Sequence, residues 1–239
     1  MSQAALLAFA RAAGLVSRAP GFSHPSVPPI VRVGIALGLA FCVASSLPRV
    51  PELGLVPFTI AIAGNALVGG AIGFGAALLY DGAYFAGRTI DDYLGVRGSV
   101  PNASVTSAQA FGRLWSSLFL AAFLLLDGWV PVVFAFSGSF AHVGLTAFPD
   151  RGAWLAFGLV LPATILRAAL LVAAPAIAVA AALQLALAAV ARVVPRCSTF
   201  MLAFPVTFAA VLLVTIAAVP LLAPAGAHPR LVLPWGHAP

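Results

Sequence analysis

The chain has 239 residues, of which 62% are hydrophobic and only 8% are charged, and its mean hydropathy is +1.10. A soluble domain carries about 25% charged residues, so a soluble protein of this composition could not cover its surface with polar groups. The net charge is +6, but the arginines are scattered singly between apolar segments, which excludes the clustered basic face of a nucleic-acid-binding protein.

Long stretches without a charged residue predict helices that cross a membrane. They lie between Glu52 and Asp81, Asp127 and Asp150, Arg167 and Arg192, and Arg196 and Arg230. Because about 20 apolar residues cross roughly 30 Å of hydrocarbon, each stretch is long enough. We therefore expect an all-α integral membrane protein that forms a single membrane domain over residues 1–239.

The N-terminal half begins with a short apolar segment, 4–16, and a first predicted span at about 30–47. The next window, 53–80, would be about 42 Å long as one helix, which exceeds the thickness of the hydrocarbon. In it, Gly69 and Gly73 lie on one helix face. Small faces of this kind let helix backbones approach closely, so we expect this window to pack against protein.

The C-terminal half begins with the one long polar segment, which we predict to be a loop at about 81–113. A third span is expected at 114–136, and the apolar block 153–190 is either one kinked span or a helical hairpin. A last span at 201–222 precedes a Pro-rich tail at about 223–239. With five spans, most arginines fall on the side of the N-terminus, which the positive-inside rule then places in the cytoplasm.

Two charges in apolar surroundings are candidates for a special role. Asp127 falls inside the third predicted span, and Arg167 falls inside the following apolar block. A charge at the centre of a membrane costs roughly 2.5–3.5 kcal/mol on insertion scales, so each needs a partner or a cavity. The two side chains could pair with each other, Asp127 could lie near the membrane interface, or they could belong to an ion pathway.

No convincing catalytic constellation is found. Asp81, Asp91 and Asp92 could serve a membrane lipid-transfer enzyme, but their spacing from Arg88 does not fit that chemistry, and a solvated loop with internal ion pairs is favoured. The histidines are isolated, and two cysteines cannot complete a zinc site. We therefore expect neither enzymatic activity nor a cofactor nor a metal.

Fragments in a fixed order give the chain a family resemblance. They are Arg11, Ala19-Pro20, Val27-Pro28, Arg32, the Gly-rich segment, Gly87 to Asp91, Gly95, Arg97, Gly98, Pro101, Ser107, Asp127-Gly128, Ser139-Phe140, Ala174-Pro175, Arg192 to Pro195, Phe200 and Ala203 to Pro205. In these positions the chain resembles the SctT family of the type III secretion export apparatus, which is homologous to flagellar FliR. The neighbourhood of Ile90 and Asp91, and the lack of an Asn-Gly-His turn, favour the secretion branch.

The resemblance implies a role that composition cannot show. Proteins of this family assemble with SctR and SctS subunits, and an SctU-like subunit, into an export gate in the bacterial inner membrane through which unfolded proteins pass. Their kinked helices and helical hairpins wind into an oligomeric cone. Positions that the resemblance and the residue types together suggest for packing of the gate are Gly69, Gly73, Asp91, Asp127, Arg167, Pro175, Arg192 and Pro205.

Three positions depart from the family pattern. An acidic residue often stands where this chain has Asn65 and where it has Gln184, and a Lys often stands where it has Thr207. All three are neutral here. If those charges couple export to proton flow or bind partner subunits, this chain differs in that respect.

A small-solute transporter or channel is the alternative function. Asp127, Arg167 and the Gly-rich window would serve it. Transporters often show two related halves, and we find no convincing internal repeat in the sequence.

Overall fold

The computed structural model describes residues 2–24, 26–47, 50–94, 110–148, 150–193, 199–227 and 232–237. In these ranges the chain is almost entirely helical, which confirms the predicted all-α class. The helices are α1 (Gln3–Arg18), α2 (Pro29–Ala44), α3 (Leu55–Leu94), α4 (Ala110–Leu125), α5 (Trp129–His142), α6 (Arg151–Val193) and α7 (Thr199–Ala227). A short antiparallel hairpin of β1 (Val232–Leu233) and β2 (Gly236–His237) follows.

Helix α1 is fixed at both ends by side chains that suit its termini. The Ser2 hydroxyl accepts a hydrogen bond from the amide of Ala5 at 3.4 Å, and Arg18 lies in the last turn, where the helix dipole favours a cation. Gln3 makes a reciprocal pair with the backbone of Leu53. Its Nε2 donates to the Leu53 carbonyl at 3.1 Å, and its Oε1 accepts from the Leu53 amide at 2.8 Å. This pair ties the start of α1 to the segment before α3.

The loop predicted at 81–113 is wrong for most of its described residues, because α3 continues to Leu94 and α4 starts at Ala110. Residues 95–109 lie outside the described residues. Ala83, Ala86 and Ile90 are buried at spacings of three and four, which is a helical period. Arg88 and Asp92 are more exposed, whereas Asp91 is buried beside Ile90. The segment is therefore an amphipathic helix.

The third predicted span, 114–136, is also wrong as one helix, because α4 ends at Leu125 and α5 begins at Trp129, with a sharp bend between them. By contrast, α6 is one helix over 43 residues despite Pro162 and Pro175, so the hairpin alternative for 153–190 is wrong. Helix α7 extends to Ala227 and takes in the start of the predicted tail.

Within the described residues, two helical segments are long and apolar enough to span a membrane, Leu55–Leu78 and Arg151–Val193, and the bent pair α4 and α5 would make a third span. Helix α2 and the described segment Phe204–Ala218 of α7 are apolar but shorter. The membrane assignment is supported, while the five-span topology and the orientation derived from it stay predictions.

The chain divides into two compact units, and the prediction of a single membrane domain over residues 1–239 stays a prediction. Unit 1 comprises residues 1–78, 123–163 and 227–239, and its core includes Leu15, Ile72 and Phe136.

Unit 2 comprises residues 79–122 and 164–226. Its core includes Trp115 of α4, Ala176 of α6 and Val211 of α7, each at most 2% exposed. Small residues dominate the α6 side of this core, which brings the helix backbones close together.

Candidate functional site

A buried arginine is the centre of the polar contacts in unit 1. Arg11 of α1 is completely buried, and its guanidinium donates three hydrogen bonds. Nε donates to Asn65 Oδ1 at 3.0 Å, Nη1 to the Ser139 hydroxyl at 3.0 Å, and Nη2 to the Val143 carbonyl at 2.9 Å. One side chain thus joins α1 to α3, to α5 and to the residue that follows α5.

Asn65 extends this contact to a further segment. Its Nδ2 donates to the carbonyls of Ala61 and Leu145, both at 2.8 Å. Both polar atoms of the amide are therefore used, and the amide is 3% exposed. A carboxylate here could accept from Arg11 but could not donate to either carbonyl, so the neutral residue suits the two acceptors around it.

The positive charge of Arg11 is held by neutral groups. Among the described residues no carboxylate pairs with it; the ring of Phe140 lies 4.3 Å from its Cζ, a cation–π distance. Burial lowers the pKa of Arg11 from its ordinary value to about 10, so the guanidinium is still charged at neutral pH. Removing any acceptor would leave a buried cation less satisfied, which is a costly state.

Glycines bring α1 and α3 into backbone contact beside Arg11. A Cβ on Gly69 would overlap the Arg11 carbonyl, and one on Gly14 would overlap the Ala66 carbonyl. A Cβ on Gly73 would lie 2.6 Å from the Leu15 carbonyl oxygen. The approach of the two helices therefore requires residues without a side chain at these positions. The sequence pattern singled out Gly69 and Gly73, whereas the partner helix and Gly14 were missed.

In unit 2, Asp91 of α3 caps the beginning of α4. Its Oδ1 accepts from the Phe111 amide at 2.9 Å and its Oδ2 from the Gly112 amide at 3.0 Å, and the side chain is 2% exposed. A carboxylate at a helix N-terminus is favoured by the exposed amides and the helix dipole. Gly87, one turn earlier, allows this approach, because a Cβ there would overlap the Phe111 carbonyl.

The same contacts bear on the lipid-transfer hypothesis. Asp91 is committed to backbone amides, and Asp92 is 76% exposed with Arg88 4.0 Å away. The described residues contain no group of three or more His, Cys, Asp or Glu side chains that could hold a metal ion. The arrangement builds a helix-to-helix junction.

Asp127 lies at the break between α4 and α5, outside both helices. Its φ of 56° is left-handed, and the Gly128 amide donates to the Phe123 carbonyl at 2.8 Å, as at many helix C-termini. The side chain is exposed and sits just before the N-terminus of α5, where a negative charge is favourable. Asp127 therefore lies in the break between two helices and not within one continuous helix, and its place in a membrane stays a prediction. The dipeptide Asp-Gly is a turn signal that could have indicated the break.

The remaining predicted residues are not brought together into one site. Arg167, Pro175 and Arg192 are exposed along α6, and Pro205 is exposed on α7. Arg167 and Asp127 belong to different units, and their pairing stays a prediction.

Two of the neutral departures lie in unit 2. Gln184 is exposed and accepts a hydrogen bond from the Tyr93 hydroxyl at 3.3 Å, whereas Thr207 is 3% exposed. Neither adds a charge to the described part of unit 2.

Comparison with known proteins identifies the family. Residues 2–228 match the family described as bacterial export proteins, family 1. The flagellar biosynthetic protein FliR of Escherichia coli (strain K12) is 29% identical over 223 residues, which cover 91% of this chain and 85% of that protein. FliR of Pectobacterium carotovorum subsp. carotovorum is 26% identical over 229 residues, 92% of this chain and 85% of that protein. The resemblance found in the sequence is thereby confirmed at the level of the family, and the chain belongs to the bacterial export proteins, family 1, as a membrane component of a flagellar or type III export apparatus.

Proposed function

We propose that the chain is a structural subunit of an export gate in the bacterial inner membrane, where it helps to form the conduit for unfolded substrate proteins. The observation that carries the proposal is the family match over residues 2–228, nearly the whole chain. The small-solute transporter is not favoured by the same match.

The polar contacts support a structural role. The buried polar side chains Arg11, Asn65 and Asp91 are used to join helices within a unit. Most of the exposed surface of α6 is apolar, for example Leu159 at 78% and Leu185 at 73% exposure. Such a surface has to be covered by lipid or by other subunits.

The partners that we propose are SctR-like and SctS-like subunits, together with an SctU-like subunit. They follow from the family resemblance and from membership of an export apparatus. The substrates are secreted proteins in an unfolded state, and lipid of the inner membrane surrounds part of the assembly. The chain contributes no enzymatic step in this proposal.

Two branches of the family compete for the specific system. The neighbourhood of Ile90 and Asp91 favours a secretion system that delivers effectors. The two named relatives are flagellar proteins, which favours flagellar export. We propose the secretion branch and retain the flagellar branch as the second candidate.

Deletion of the gene in its own bacterium distinguishes the branches. We expect effector proteins to disappear from the culture medium while swimming motility is kept, and a plasmid copy to restore secretion. Loss of motility with intact secretion would identify the flagellar branch instead. If both are unchanged, the chain is not a necessary export component.

Co-purification tests the partners directly. An affinity tag on the SctR-like subunit, in membranes solubilised with a mild detergent, is expected to retain this chain together with the SctS-like subunit. An unrelated multi-span membrane protein that carries the same tag is the control. Recovery of this chain equal to that control would contradict the proposed assembly.

A further inference from the structure

The C-terminal hairpin rests on unit 1 through a small number of side chains. Leu233 is 5% exposed and belongs to the core of unit 1. The ring of Trp235 stacks on the ring of His142, with 5.9 Å between centroids and 18° between planes. Pro234 is also buried, and Trp235 packs half-buried against the same core, so among the described side chains Leu233, Pro234 and Trp235 hold the hairpin.

The hairpin docks beside the residues that contact Arg11. His142 is the last residue of α5, and the next residue, Val143, gives its carbonyl to Arg11 Nη2. Val143 is itself 5% exposed in the same core that takes up Leu233. The hairpin therefore contacts the end of α5 through the Trp235–His142 stack, one residue before the carbonyl that accepts from Arg11.

The hairpin cannot be ordered by its own strands. Each strand has two residues, with Val232 opposite His237 and Leu233 opposite Gly236. A two-stranded hairpin is marginally stable in water even when it is longer. Its order depends on docking, and a six-residue segment that docks through three consecutive side chains opens at a lower free energy than the core on which it lies.

We propose that Val232–His237 form a latch that opens and recloses over the C-terminal end of α5 while the rest of unit 1 stays folded. The closed state is the one with Leu233 inside the core and Trp235 on His142. Opening separates Trp235 from the ring of His142, which is already exposed in the closed state, and uncovers the place of Leu233 in the core of unit 1. The latch is a conformational element of this chain, separate from its membership of an export apparatus.

Thiol labelling of the full chain measures this opening. Cys42 and Cys197 are first replaced by Ala, and Leu233→Cys then places a thiol under the latch. In a second variant, Val16→Cys places the thiol in the core of unit 1, where Val16 is 2% exposed. We expect a maleimide to label position 233 more slowly than in the denatured chain and much faster than position 16. Labelling as fast as in the denatured chain, or as slow as at position 16, would overturn the proposal.

Substitutions of His142 test what closes the latch. Removal of the ring by His142→Ala should speed labelling at position 233 on the order of two- to tenfold, the range that an aromatic pair supplies. His142→Phe keeps a ring to stack on Trp235 and should restore the slow rate. Ser137→Ala, at an exposed position of the same helix, is the matched control and should change nothing. An unchanged rate in His142→Ala would remove the stack as the closing contact.

Hydrogen exchange of the unaltered chain gives the same comparison without a substitution. The backbone amides of the five non-proline residues in 232–237 should exchange faster than those of α1 and more slowly than in an unstructured peptide. Exchange of both segments at one common rate would mean that the hairpin opens only when unit 1 unfolds, which contradicts the latch.

Discussion

Arg11 and Asn65 are 54 positions apart in the chain, and they meet inside unit 1 with 3.0 Å between Nε and Oδ1. The contact joins a helix too short to span a membrane to one that is long enough. The Asn65 amide nitrogen also donates to the carbonyls of Ala61 and Leu145. One amide therefore accepts from the cation and satisfies two backbone carbonyls.

Asn65→Leu should therefore destabilise unit 1. The substitution removes an acceptor from a buried guanidinium and a donor from two carbonyls, and we expect a loss of about 3–5 kcal/mol. The midpoint of thermal unfolding in detergent measures it. Adding Arg11→Met to this variant removes the unsatisfied charge. The double variant should therefore lose less stability than the sum of the losses in the two single variants. Strict additivity would show that the two residues are not coupled.

Gly69→Ala and Gly70→Ala form a matched pair on α3. A Cβ at Gly69 overlaps the Arg11 carbonyl, whereas one at Gly70 meets nothing within 4 Å. We expect Gly69→Ala to cost about 1–3 kcal/mol through forced separation of the helices, and Gly70→Ala to be neutral or stabilising by up to about 1 kcal/mol. Thermal unfolding of both variants in one detergent gives the comparison. Equal effects would contradict the close backbone approach.

Asp91→Ala should loosen the beginning of α4, because the amides of Phe111 and Gly112 lose their acceptors. We expect a cost of about 1–2 kcal/mol, as for the loss of other helix caps. Hydrogen exchange at these two amides should accelerate. Asp92→Ala is the control, because the Asp92 carboxylate is exposed. Hydrogen exchange in this variant should match that of the unaltered chain. Similar exchange in both variants would contradict the cap.

Asp127→Gly should be tolerated, and Asp127→Val should not. The residue has a φ of 56°, which glycine adopts freely and a β-branched residue strongly disfavours. We expect the valine variant to be less stable by about 1–2 kcal/mol, measured by thermal unfolding. If loss of the carboxylate were what matters, both variants would be equally impaired.

Local features of this chain can be predicted from its sequence better than contacts between distant residues. Apolar composition predicts helices and a membrane, and the spacing of Gly69 and Gly73 indicates a close helix contact. The partner helix could not be read from that spacing, because α1 contacts α3 across more than 50 positions. Arg11 interrupts an apolar segment and is the first fragment of the family resemblance, and neither signal indicates its partners. Its acceptors on Ser139 and Val143 are fixed by tertiary packing alone.

Errors in the predicted elements have a common physical cause. Charged residues at 81–94 were interpreted as a loop because composition was weighed above period, and the helical spacing of Ala83, Ala86 and Ile90 was missed. The apolar residues on both sides of Asp127 were interpreted as one helical span. The left-handed backbone of Asp127 ends the first helix there. In an apolar chain, hydropathy identifies the membrane-compatible segments but does not locate their ends.

The reciprocal hydrogen bonds between Gln3 and Leu53 bear on how the protein can be handled in the laboratory. The side chain of Gln3 occupies both backbone groups of Leu53, so a group attached close before Ser2 would act on this contact. A fluorescent protein or affinity peptide placed before Ser2 needs a flexible spacer that leaves Ser2 and Gln3 in place. Without that spacer, it would pull on the segment that leads into α3.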